Sequence, residues 1–289
     1  MLCGMAVKPS PTTLRRQLGA ELRKLRDQAG STVSEVAEAL GWSESKISRI
    51  ETAHTGIRNG DLDRLLKHYG VKDDVAAKIR AIASQSRQKA WWEAYGDVLP
   101  NAYETYIGFE AEATSIFNYE CQIVPGLLQT AEYASAVIQA DGVYDDPDVL
   151  GQRVAVRMAR QAVLTREPPP QLWVILDEAV LRRQIGGPGV LRRQLLRLVE
   201  ASELPMVTIQ VLPFAVGAHR ALAGSFVILE FAGRSDAPLV HSEGMTGGVI
   251  RARPEELRSY WMSFEALRAA ALSPRESVEF ITMAAHGNN

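Results

Sequence analysis

GSTVSEVAEALGWSESKISRIETAHTGIRNGDLDRLLKHYGV, residues 30–71, holds three short helical patterns separated by glycines. Ser31 and Thr32 offer a cap for a helix whose apolar positions are Val33, Val36, Ala37 and Leu40, and Gly41 turns the chain. Ser43 caps the next helix, Glu44 to about Thr52, in which only Ile47 and Ile50 are strongly apolar. That helix has one thin face to bury and a wide one to expose. A further helix from about Asp61 turns Leu62, Leu65, Leu66 and Tyr69 inward and ends at Gly70. Upstream, Leu14, Leu18, Leu22 and Leu25 recur at three- and four-residue spacing from Thr13, with Arg15, Arg16, Arg23, Lys24 and Arg26 around them as a solvated face. Downstream, a fifth helix runs from Asp73 to about Lys89. The pattern predicts an all-α bundle over residues 13–89, preceded by a flexible tail at 1–12 that contains Pro9 and Pro11.

A rigid, exposed helix on a narrow apolar seam suits the major groove of duplex DNA, which admits one α-helix and displays a readable donor and acceptor pattern. With Ile47 and Ile50 as anchors, Ser45 and Arg49 are placed for base readout, Arg49 with the reach to bridge two acceptors of a guanine. Glu44 could accept from a cytosine amino group or serve only as a first-turn acid favoured by the helix dipole. Ser48 shares the exposed face. Lys46 is assigned to phosphate, Ser43 to capping and backbone contact, and Arg58, in the loop that follows, to phosphate. The helix N-terminus adds its free N–H groups.

The same run resembles the helix-turn-helix of the lambda-repressor-like, xenobiotic-response-element (XRE) family. Ala37, Gly41, Ser43, Ile47, Ser48, Ile50 and Glu51 stand where that pattern expects them. Val33 departs from it, since many members carry there a glutamine that clamps a phosphate, and the resemblance therefore implies that this contact is absent. YIGFEAEATSIFNYECQIVPGLLQTAEYASAVI (106–138), PMVTIQVLPFAVGAH (205–219) and GSFVILEF (224–231) are similar to the C-terminal domain of uncharacterised function in many actinobacterial XRE regulators. That likeness implies an antitoxin-like regulator working with a small partner protein.

The chain has 289 residues, enough for two modest cores. Its charge divides. Residues 1–89 carry 16 Lys+Arg against 10 Asp+Glu, net +6, and residues 90–289 carry 16 against 24, net −8. A basic module joined to an acidic remainder fits a nucleic-acid binder with a separate sensing domain. No apolar run is long enough to span a bilayer and the start lacks the pattern of a leader, so a cytoplasmic location without membrane attachment is expected. Cys3 and Cys121 are read as free thiols, outside any metal-ligand spacing.

Residues 90–113, with Trp91, Trp92, Tyr95, Tyr103 and Tyr106, are expected to form a structured joint. Trp91, Trp92 and Tyr95 could line a pocket or be core. Residues 114–289 are expected to form a mixed α/β (α+β) domain with a regulatory or partner-binding role. Strands are predicted at Thr114–Tyr119, Gln171–Asp177, Met206–Leu212, Ser225–Phe231 and Pro238–Glu243. The last two are paired as a hairpin across GRSDA. Helices are predicted at Ala131–Ala140, Leu150–Arg166, Val190–Ser202, Pro254–Ala271 and Pro274–Ala284. Gln171–Asp177, the helix after it and Met206–Leu212 make a strand-helix-strand unit that pairs in parallel.

No nucleophile elbow, phosphate-binding Walker loop or zinc-protease helix is present, and His54, His68, His219, His241 and His286 lack ligand spacing. GGPG at 186–189 is read as a turn and helix start. Neither catalysis, a metal nor a cofactor is expected. The expectation is a sequence-specific regulator binding double-stranded operator DNA as a homodimer, its second domain sensing a small-molecule effector or a partner protein. The alternative is an antitoxin-like protein that neutralises a small partner and regulates its own operon.

Overall fold

The computed structural model describes residues 11–53, 55–86, 99, 101–140, 142, 146–232, 237–244 and 247–287. Outside them lie residues 1–10 with Cys3, then His54, Trp91, Trp92 and Tyr95, and residues 233–236, where the sequence reading placed a hairpin connection. The chain divides into two compact units, Met1–Ala94 and Tyr95–Asn289.

The first unit is helical: α1 (Pro11–Gln28), α2 (Val33–Leu40), α3 (Glu44–Glu51), α4 (Asn59–His68) and α5 (Asp73–Gln85). Leu18, Leu22, Val36, Ile47, Ile50, Leu62, Leu65 and Ile79 fill its core. Thr32 and Glu35 form a reciprocal cap at the start of α2, the Glu35 N–H donating to the Thr32 hydroxyl at 3.2 Å and the Thr32 N–H to the Glu35 carboxylate at 2.7 Å. Gly41 closes α2 in the left-handed region, φ 66°, and the Trp42 N–H reaches back to the Ala37 carbonyl at 2.8 Å. Three boundaries differ from the sequence reading. Helix α1 already starts at Pro11, within the stretch expected as a flexible tail at 1–12, because proline suits the first turn of a helix. Helix α4 starts two residues before Asp61, with Arg58 as its N-cap, and α5 is described as far as Gln85 rather than Lys89.

The second unit is built on one mixed sheet of β1 (Ser115–Glu120), β2 (Gln171–Asp177), β3 (Val207–Leu212), β4 (Phe226–Glu230), β5 (Leu239–Gly244) and β6 (Gly247–Arg251), in the order β3-β2-β1-β4-β5-β6. Strands β1, β2 and β3 run parallel, and β4, β5 and β6 are antiparallel to their neighbours. Two further helices lie near its start, α6 (Asn101–Glu110) and α7 (Ala131–Ala140), and then α8 (Pro147–Arg160). Next come α9 (Glu178–Arg182) and α10 (Pro188–Ser202), and the chain ends with α11 (Pro254–Ala270) and α12 (Pro274–Ala285). Alternation along the strands separates two cores. Ile116, Leu172, Val174, Ile209 and Leu229 pack with α6, α7, α10 and α12 on one face. Tyr119, Ile175, Phe226 and Ile228 pack with Phe264 and Leu267 of α11 on the other. The architecture is thus an all-α N-terminal region followed by an α+β region.

Helix α8 begins earlier and ends sooner than the sequence suggests. Asp146 caps it, Pro147 starts it, and Gln161–Thr165 tightens into a 3-10 turn in place of α-helix continuing to Arg166. Gly187 and Pro188 open α10, so the GGPG run is a turn and helix start. Helix α6, within the expected joint, contributes Tyr106 and Phe109 to the core of the second unit.

Candidate nucleic-acid interface

Helix α3 is held from below and from its C-terminal end. Ile47 and Ile50 are 1% and 5% exposed, while Glu44, Ser45, Ser48 and Arg49 face solvent. The end is fixed by Arg26 of α1, whose guanidinium makes a bidentate pair with Glu51 at 2.7 and 3.0 Å. Arg26 also donates to the Ser31 carbonyl at 2.9 Å, so one side chain ties α1, the turn before α2, and α3 together. Its bond to Glu51 raises the guanidinium's affinity for its proton, against the opposing effect of burial. Gly19 lets α1 come this close. A Cβ there would lie 2.6 Å from the Glu51 carbonyl oxygen and 2.8 Å from that of Ile50.

The seven candidate residues fall into four groups. Glu44, Ser45, Ser48 and Arg49 share the exposed side of α3, and the Arg49 Nε donates to the Ser45 carbonyl at 3.3 Å, one turn back along the helix. Ser43 is the N-cap, its hydroxyl accepting from the Lys46 N–H at 3.2 Å. Arg58 is exposed at the N-cap of α4, which has no side-chain cap bond. Lys46 differs from the others in being engaged within the fold. Its ammonium pairs with Asp61 at 2.8 Å and lies 3.7 Å from the centre of the Trp42 ring. A phosphate would have to compete with that carboxylate.

Sequence reasoning passed over Trp42 and Arg64. The Arg64 guanidinium sits 5.3 Å from the Trp42 ring and donates to the Leu40 carbonyl at 2.6 Å, closing the C-terminus of α2. The available signal was an aromatic residue in the inter-helix turn with a lysine four residues on. Val33 is half-buried against the core and offers no donor, and Glu35 places a carboxylate at the start of α2. Bonds from Thr32 hold that carboxyl below the usual range, so it is an anion where a phosphate would otherwise approach.

In the second unit, the structure brings together some residues that the sequence scatters. The His219 Nε2 lies 3.5 Å from the Tyr119 hydroxyl and 4.0 Å from an Asp177 carboxylate oxygen, and the Ala221 N–H lies 3.3 Å from its Nδ1. His241 stacks on Tyr106 with ring centres 4.1 Å apart. The Cys121 Sγ is 3.4 Å from the Ser225 hydroxyl. Among the described residues no cluster of three or more His, Cys, Asp or Glu side chains could hold a metal ion, and no helix is long and apolar enough to cross a membrane.

A capped α2, a glycine turn and an exposed α3 on a two-isoleucine seam define a helix-turn-helix protein with an α+β C-terminal region. Residues 17–79 match the model of a helix-turn-helix domain, and residues 103–283 match that of a domain of unknown function (DUF5753). The second match covers more than half of the chain, which belongs to the DUF5753 family. No curated protein and no solved structure matches it.

Proposed function

We propose that the protein is a sequence-specific, DNA-binding transcription regulator of the XRE type. It acts as a homodimer in the cytoplasm on double-stranded operator DNA. The observation that carries this reading is the exposed polar face of α3, on which Ser45, Ser48 and Arg49 stand above the buried Ile47 and Ile50. Arg49 reads a guanine, and Ser45, Ser48 and Glu44 line the adjoining base edges. Arg58 and the uncapped start of α4 approach the phosphate backbone. Lys46 keeps Asp61 as its partner and orients α3 against α4. Residues 90–113 act as the joint, and residues 114–289 receive an effector or a partner protein that sets the affinity for DNA.

The test is recovery of DNA fragments by the full-length chain, followed by gel-shift titration of the enriched sequence with Arg49→Ala. A bidentate guanine contact is worth about 1–3 kcal/mol of discrimination. The variant should therefore lose roughly ten- to hundredfold in preference for the enriched sequence over a scrambled one. Unchanged affinity and preference would overturn the docking of α3.

A further inference from the structure

One face of the sheet carries a polar group of side chains whose bonds leave two buried atoms unmatched, although Arg157 also lies over the Tyr103 ring at 5.7 Å. Strand β1 contributes Asn118 and Glu120, which point to the same face as Ile116. Asn118 is 6% exposed, and its amide oxygen is buried without a hydrogen-bond partner. Its other amide group bonds to the Glu120 carboxylate, which also takes a bond from the Ser225 hydroxyl at the start of β4. Helix α8 adds Arg157. One terminal nitrogen of its guanidinium donates to the Gln129 side chain at 3.1 Å, while its Nε is buried without a partner.

The neighbouring Arg160 is fully matched by contrast. Its guanidinium binds both oxygens of Glu110 and donates to the Tyr103 hydroxyl at 2.8 Å. Arg157 therefore lacks the carboxylate that its neighbour has, and Asn118 lacks a donor. Glu120 and Glu243, on the exposed end of β5, add two carboxylates on the same side. Glu120 is half-buried with the exposed Glu243 beside it, so the group lies towards the margin of the sheet, while the Asn118 oxygen and the Arg157 Nε are themselves enclosed. Gly126 keeps the loop close, since a Cβ there would lie 3.3 Å from both arginine side chains.

Buried polar atoms without partners are uncommon and call for one. Here they are of opposite kind: an unmatched carbonyl oxygen beside carboxylates, and an unmatched guanidinium N–H. We infer that this group is a binding site for a small zwitterion of the α-amino-acid class. The ligand's ammonium is held by Glu120 and the Asn118 oxygen, and its carboxylate by the Arg157 Nε. This deepens the effector half of the proposed function, yet binding is read on the protein alone, without DNA. Failure here and failure of the DNA-binding reading are thus separate results.

Burial pushes the Glu120 carboxyl up to about 7, with Glu243 adding to the rise and Ser225, Asn118 and Arg157 opposing it. Tyr133 of α7 faces Glu120, and burial, with a smaller push from that carboxylate, raises its hydroxyl to about 12, so it stays neutral at the pH values used below. An ammonium favours the ionised carboxylate, so binding should strengthen as pH rises from about 6 to about 8.

The experiment is calorimetric titration of the full chain with a panel of L-α-amino acids, and with the methyl ester and the N-acetyl derivative of each that binds. The expected result is saturable binding that weakens at least about tenfold on masking either end of the ligand. It should weaken as much in Glu120→Gln, with a thermal midpoint measured alongside to establish that the variant folds, and in Arg157→Lys. Absence of binding by every member of the panel would overturn the inference. So would binding that is indifferent to pH and to Glu120→Gln, or that survives N-acetylation.

Discussion

The Arg26–Glu51 pair sets the most severe test of a single residue. The two side chains are 10% and 7% exposed, and the guanidinium meets both carboxylate oxygens. Replacing one partner leaves the other as an uncompensated buried charge, at about 3–5 kcal/mol. Arg26→Met should therefore lower stability by that amount in urea unfolding. The double variant Arg26→Met/Glu51→Leu should recover most of the loss, because the isolated charge is gone; a double variant no more stable than the single one would assign the loss to packing. Two buried groups of the second unit predict opposite pH effects. Burial, then Arg160, lowers the His241 pKa to about 4, below the usual 6.5. Its contribution is whole above pH 6.5 and is lost as pH falls through about 4, in total about 3 kcal/mol. Glu120, raised from 4.5 to about 7, contributes fully below 4.5 and loses its contribution as pH rises through 7. In unfolding series from about pH 4 to 8, Glu120→Gln should gain on the parent chain as pH rises and His241→Gln as pH falls. Difference curves that stay flat with pH would count against both assignments.

At the scale of the element, the crossing of α1 over the end of α3 rests on Gly19. An alanine there gains up to about 1 kcal/mol of intrinsic helix propensity. Its Cβ would overlap the backbone oxygens of Ile50 and Glu51, which cannot rotate away as a side-chain tip could. Overpacking of this kind costs about 1–3 kcal/mol, so packing wins and Gly19→Ala lowers the thermal midpoint. It should also weaken the gel-shift, because α3 must tilt to make room. A raised midpoint would mean that α1 and α3 can part at little cost. The sequence could not show this contact, since a glycine within an amphipathic run looks only like a weak helix position. The seam of Ile47 and Ile50 was legible, because it depends on spacing within one element. The diversion of Lys46 to Asp61 was not, because it depends on where α4 lands. Helix α6 escaped notice for a related reason. Residues 106–110 are all buried, so it has no polar stripe, and its aromatic residues suggest a joint as readily as a helix. Strand β6 starts with Gly247 and Gly248, poor strand formers, yet Gly248 is needed there because a Cβ would overlap the His241 ring. The Arg157 and Asn118 group joins α8 to β1 across 39 residues of sequence, and no motif announces it.

For the whole molecule, the size of α3 and the balance of charge set how the proposed dimer should behave on DNA. Helix α3 has eight residues, of which Ser45, Ser48, Arg49 and Glu44 face outward, enough to specify only a few base pairs. A two-fold dimer doubles the site and sets half-sites about 34 Å, or about 10 base pairs, apart from centre to centre. Residues 1–89 carry net +6 and attract phosphates, whereas residues 90–289 carry net −8 and oppose approach to the same polyanion. Raised salt weakens the first effect through counterion release, at about 0.9 in the logarithmic slope per phosphate neutralised, while it screens the second. The full chain should therefore show a shallower salt dependence than its phosphate contacts alone would give. The dimer itself is tested by moving the half-sites of the enriched sequence in gel-shift titration. Inserting about five base pairs turns one half-site to the opposite side of the duplex and should reduce affinity to that of an isolated half-site, whereas restoring the original spacing restores it. If affinity is indifferent to the insertion, each copy binds alone and the specificity must come from one α3, which its four outward side chains are too few to supply.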